Sequence, residues 1–167
     1  MKRWLNLIFI VVLAILVGIQ FIRPARNNVM QPTGKEIAVR YPVPDSVERI
    51  LQQSCYDCHS NNTRYPWYAN VQPVGWFLNH HITEGKHELN FDEFAAYAPR
   101  KQFHKFEAME HEVNDGDMPL ESYLLIHRDA KLSPEQTAML VAWSKAMRDS
   151  MKVHFPADSL KRLSRHG

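Results

Sequence analysis

Cysteine is almost missing from this chain of 167 residues: there are two, Cys55 and Cys58, and none follows the N-terminal apolar run to receive a lipid. An excess of one charge is missing too. Twenty Lys and Arg against 18 Asp and Glu leave a net charge of +2, without the basic face that a nucleic-acid partner requires. Alternating apolar residues, the mark of strands, are absent, as is any internal repeat. The lack of strands speaks against a thioredoxin-like cysteine pair, which needs a βαβ setting. With 45% hydrophobic and 23% charged residues, the composition is that of a globular protein with one cored domain and an appendage.

The appendage is N-terminal. After Lys2 and Arg3, residues 5–22 are apolar except for Asn6, Gly18 and Gln20. About 18 residues is near the lower limit for crossing a hydrocarbon core of roughly 30 Å. The run ends in "GIQFIRPAR", with bulky Phe21 and Ile22 where a cleaved signal would carry small residues. This favours an uncleaved anchor, with a cleaved signal or a buried soluble helix as the alternatives. Lys2 and Arg3 on one side and Arg23 and Arg26 on the other leave orientation undecided by charge.

Residues 1–26 are thus read as anchor, 27–44 as a Pro- and Gly-punctuated linker, 45–150 as an all-helical domain, and 151–167 as a basic tail without assigned function. Asp45 or Ser46 can cap a first helix with Val47, Ile50, Leu51 and Ser54 on one face. Pro73 can open a second, broken near Gly85. Asn90 or Asp92 starts a short turn. A helix from about Arg100 carries Phe103, Phe106, Met109 or Glu110, and Val113 at helical spacing, and stops at Asp115-Gly116. Ser133-Pro134-Glu135-Gln136 is a capping box launching a helix with Leu140, Trp143 and Met147.

The two cysteines stand in "SCYDCHSNNTRYPWYANVQP", residues 54–73, with His59 directly after Cys58. A structural zinc site takes four ligands, and Cys55, Cys58 and His59 supply at most three, crowded around one ion. A Cys55–Cys58 disulfide leaves His59 without a role. C-x-x-C-H as a covalent haem c site uses all three: two thiols add to two vinyl groups and His59 ligates the iron. Haem c is attached outside the cytoplasm, so the domain is expected on the periplasmic side of the inner membrane, behind a single-pass anchor.

The opposite axial position decides function. Met1, in the cytoplasm on this reading, and Met30, in the linker, are poor candidates. Met109, Met139, Met147 and Met151 fall on helices, where core packing or surface is the expected role. Met118 lies in "VNDGDMPLESY", after a helix stop and before Pro119, where a loop can present its thioether. Its rivals are His80 and His81, adjacent on the second helix; Met118 could instead plug the core. His104, His111 and His127 lie among charged residues and are expected to be solvated. His87, His154 and His166 have no supporting context.

The segments "CYDCHSNNTRYPWY", "GWFLNHH", "LNFDEF" and "MPLESYLLIHRDAKLSPEQTAMLVAW" together resemble the bacterial haem-binding domain family of small, membrane-anchored monohaem c-type cytochromes, over about residues 42–147. The resemblance implies a cytochrome c-like helical fold in which the first and last helices cross. It implies haem bound through Cys55 and Cys58, His59 as proximal ligand and Met118 as distal ligand. Arg64, Tyr65 and Trp67 could reach a propionate or the haem edge, or simply pack the loop. Asn90, Phe91 and Phe94 look structural. A His/Met pair raises the reduction potential relative to bis-histidine and leaves no vacant site, which suits an electron carrier working with redox partner proteins. A gas sensor with a labile Met118, or a peroxidase drawing on His81 or Glu84, are the competing functions.

Overall fold

The computed structural model describes residues 1–29 and 31–162. Met30, Arg165 and His166 lie outside the described residues. α1 (Lys2–Ile19) buries none of its side chains. The chain then passes through α2 (Ile37–Arg40), α3 (Asp45–Ser54), α4 (Tyr56–His59), a 3-10 turn (Trp67–Asn70) and α5 (Val74–Glu88). A second 3-10 turn (Phe91–Ala96) leads to α6 (Pro99–Asp115), and α7 (Glu121–Leu124) and a third turn (Arg128–Ala130) lead to α8 (Pro134–His154) and α9 (Ala157–Leu160). Among the described residues there is no strand, only an isolated bridge between Asn28 and Asn62. The fold is all-α, as the pattern required.

α6 and α8 form the most extensive helix pair, and α3 packs across α8, bringing the first and last long helices of the domain together. Leu51, Phe94, Phe106 and Leu140 are fully buried between them. Each such side chain contributes roughly 1.5–3 kcal/mol by leaving water. The expected helix signals operate. Ser133 accepts from the Gln136 amide while Gln136 reaches back to the Ser133 amide. Gly116, at φ +80°, stops α6 in the left-handed conformation that favours glycine. Pro44, not Asp45 or Ser46, occupies the cap position of α3, and Asp45 sits in the first turn. There its charge complements the helix dipole.

The body is larger than residues 45–150. Ile37 and Tyr41, upstream, and Met151 and Leu160, downstream, belong to the core. Tyr41 sends its hydroxyl to Gln102 Oε1 at 2.6 Å inside it. α8 continues to His154, so its last turn comes from the segment read as tail.

Residues 20–29 form a strap bonded to the domain. The Gln20 side chain makes a reciprocal pair with the Gln72 backbone, at 2.9 and 3.0 Å. Trp76 Nε1 donates to the Ile22 carbonyl at 2.8 Å. Asn27 donates through its side chain to Ser60 O and Thr63 Oγ1, and its Oδ1 accepts from Lys86. The end of the segment read as anchor and the start of the one read as linker are therefore both held against the domain. Their partners are mostly main-chain groups and amide side chains, which composition does not reveal.

Candidate functional site

Cys55 closes α3 and Cys58 lies in the following single turn, α4, which ends at His59. The amides of Cys58 and His59 both donate to the Cys55 carbonyl, at 3.2 and 3.0 Å, which coils the motif into one turn. Both thiols are free and half-buried. Desolvation raises Cys55 to about 12 and Cys58 to about 11, with Cys58 adding to the first and Asp57 to the second. At neutral pH they are thiols, unlike the low-pKa cysteines of redox switches. Among the described residues no three His, Cys, Asp or Glu side chains converge to cage a metal ion.

His59 Nδ1 lies 3.0 Å from the Leu89 carbonyl. A carbonyl only accepts, so Nδ1 carries the hydrogen and Nε2 keeps its lone pair. Burial holds the ring below the ordinary histidine value, and therefore neutral. A second-sphere hydrogen bond of this kind orients an imidazole toward a metal and fixes its tautomer. The edge of His59 meets Phe91 at 6.4 Å. Phe91 and Phe94 are core residues and Asn90 caps their turn by accepting from Asp92 N. The "LNFDEF" segment thus supports the ring that Leu89 orients. Two thiols on one turn beside a neutral imidazole with a free Nε2 are a donor set that fits a covalently held haem.

Gly85 does not break α5, which passes through it to Glu88. It lets α5 lie directly on the motif: a Cβ there would stand 2.8 Å from the Cys58 carbonyl oxygen. Replacing Gly85 by alanine would gain about 1 kcal/mol of helix propensity. The collision with a backbone oxygen costs about 1–3 kcal/mol. Gly85→Ala is therefore expected to lower stability, by up to about 2 kcal/mol in a urea titration. A stabilised variant would mean that α5 does not press on Cys58.

Along α5 the ridge through Gly85 also carries His81, Phe77 and Val74. Phe77 and Val74 are exposed, and His81 is half-buried against Phe77 at 4.3 Å. His80 is exposed.

Met118 is half-buried at the start of the loop that leaves α6; its amide and that of Asp117 both donate to the Glu112 carbonyl. The peptide bond to Pro119 is cis. Further along, Tyr123 donates to Asp57 Oδ2 at 2.9 Å, inside the C-x-x-C turn. Arg64 pairs with Asp57 Oδ1 at 3.1 Å and also donates to the Gln52 carbonyl. The loop carrying Met118 is thus latched to the cysteine motif. Burial and the Asp57 charge raise Tyr123, keeping it a donor.

Other calls change. His127 is not solvated: it stacks on Tyr123 at 4.2 Å and meets the Tyr68 hydroxyl at 3.2 Å. His104 is half-buried against Glu107, whereas His111 is exposed. Tyr65 receives the Asn27 amide under the Arg26 guanidinium, and Trp67 points outward, 79% exposed. Sequence reading missed Asp57, Gly85 as a contact, and the Leu89 carbonyl. Met109 and Met151 are core residues and Met139 is at the surface.

A family model described as haem-binding domain matches residues 14–146, most of the chain. Neither a search of curated proteins nor one of solved structures finds a match.

Proposed function

Since the chain belongs to the haem-binding domain family, and so binds haem, we propose that it is a membrane-anchored monohaem c-type cytochrome that carries electrons on the periplasmic side of the inner membrane. Cys55 and Cys58 would hold the cofactor, each S–H adding across a vinyl double bond to form a C–S bond without an oxidant. His59, through Nε2, and Met118, through its thioether, would be the protein ligands of the iron. Haem supplies a reversible one-electron couple at its iron. The observation that carries the reading is the His59–Leu89 hydrogen bond, which leaves Nε2 available beside two thiols.

The reading also accounts for exposed apolar side chains on both tethers of the motif. Val74 and Phe77 lie on the ridge that ends against Cys58. Leu120, Leu125 and Ile126 flank Tyr123, which is bonded to Asp57. Covering by a flat apolar macrocycle would remove this surface from water. The anchor is supported by α1, with a mean hydropathy of 2.1 and no buried residue. Gln20 and Ile22 at its end bond to the domain, and cleavage beyond them would remove those partners. Attachment of haem c outside the cytoplasm places the domain on the outer side.

The test is the absorption spectrum of the matured protein, oxidised and reduced, with and without carbon monoxide. Wild type is expected to show covalent low-spin haem that ignores the gas. Met118→Ala is expected to bind carbon monoxide and to have a lower reduction potential. A Met118→Ala protein that still ignores the gas would move the distal ligand to His81 or His80. Gas binding by wild type would favour a sensor or a peroxidase with an open site.

A further inference from the structure

We infer that the haem domain does not swing from its anchor but lies on the membrane, docked into the lipid headgroup layer through Trp67, Val71 and Trp76 together with Phe21 and Ile22. This rests on α1 being the anchor. Three observations carry it, and the first is length. The 18 residues of α1 span about 27 Å, slightly less than the roughly 30 Å of hydrocarbon. The C-terminal end of α1 must therefore sit at the hydrocarbon boundary, with no slack beyond it.

The second is what that end touches. Gln20 is bonded to the Gln72 backbone in both directions, and the Ile22 carbonyl accepts from Trp76. Residues 72 and 76 are thereby fixed within one or two hydrogen bonds of the boundary. The headgroup layer is roughly 5–8 Å deep on each side. The N-terminal end of α5 and the turn before it must lie inside it.

The third is the chemistry of the surface found there. Trp67 is 79% exposed, Phe21 84% and Ile22 63%, and Val71 and part of Trp76 are also open. Tryptophan is enriched at this depth, where its ring meets apolar chains and its N–H finds a polar partner. Trp4 stands at the opposite end of the span, 71% exposed. Arg23, exposed next to Ile22, is placed to meet lipid phosphate. Trp76 leaves α5 on the side away from the Gly85–His81–Phe77 ridge, so the docked face is distinct from the surface assigned to the cofactor.

Photolabelling tests this with the full-length protein in vesicles of phosphatidylethanolamine and phosphatidylglycerol. The probe is a phosphatidylcholine carrying a diazirine near the glycerol end of an acyl chain, and adducts are mapped by mass spectrometry. Adducts are expected in α1 and on peptides containing Trp67, Val71 and Trp76. In a Trp67→Ser/Trp76→Ser variant the yield at Val71 should fall about tenfold relative to α1, equivalent to about 1.4 kcal/mol of lost docking. Adducts confined to α1 would overturn the inference while leaving the anchor standing, with a second copy or a protein partner as the occupant of that face. No adducts in α1 would remove the anchor and the inference together.

Discussion

A chain in which both Cys55 and Cys58 are replaced by serine is expected to carry no covalent haem at all. No other thiol exists in the sequence to take over either bond. Serine is close to cysteine in size, and the turn that holds the pair is built from main-chain bonds to the Cys55 carbonyl. The fold around His59 should therefore survive, and the loss should be chemical rather than structural. The mass of the denatured chain and haem staining after denaturing electrophoresis read the result directly: one haem per chain in wild type, none in the variant. Each single variant should keep one bond. Haem that stays attached to the double variant would end the assignment of the motif, whatever the spectra of wild type show.

The largest effect on stability is expected at Gln102, far from the cysteines. Its side chain is fully buried. Its Nε2 faces the carbonyls of Phe94, Ala95 and Tyr97 at 3.1, 3.3 and 2.8 Å, and its Oε1 accepts from Tyr41. This one amide joins α6, the 3-10 turn at Phe91–Ala96 and the segment after α2. Gln102→Ala leaves buried carbonyls and a hydroxyl unpaired and opens a cavity, together costing about 3–4 kcal/mol. The melting temperature should fall by roughly 10 °C. Tyr41→Phe, which removes only the hydroxyl and lets Oε1 lose one partner, should cost about 1 kcal/mol. A Gln102→Ala protein as stable as wild type would show that water enters and satisfies the hub.

Gln102 illustrates which parts of the fold a sequence makes legible. It lies in register with Phe106, Met109 and Val113 on the buried face of α6, so an apolar-only search passes over it although its position marks it as interior. The stop of α6, the start of α8 and the cap of the Phe91–Ala96 turn were readable, because Gly116, Ser133-Gln136 and Asn90 act through their own neighbours within a few residues. The spacing of Cys55, Cys58 and His59 was readable for the same reason. Gly85 was visible but ambiguous: the missing side chain that weakens a helix also admits a close neighbour, and only packing decides between them. The Leu89 carbonyl was invisible, since every residue has one. His127 was misjudged because its charged neighbours in sequence are not its neighbours in space; Tyr123 and Tyr68 are.

α5 is also a ruler. One end is seated where α1 finishes, with Gly75 pressed so closely on the preceding turn that a Cβ would meet the Ala69 carbonyl oxygen at 2.5 Å. The other end is seated on Cys58 through Gly85. Between these two glycines the helix rises about 15 Å. Adding one residue to that interval would lift the cysteine motif by about 1.5 Å and turn it by about 100°. The strap could not take up the change, because Asn27 grips Ser60 and Thr63 beside the motif and Lys86 on the helix at once. The height and heading of the motif above the end of α1 are thus encoded in the residue count of a single helix.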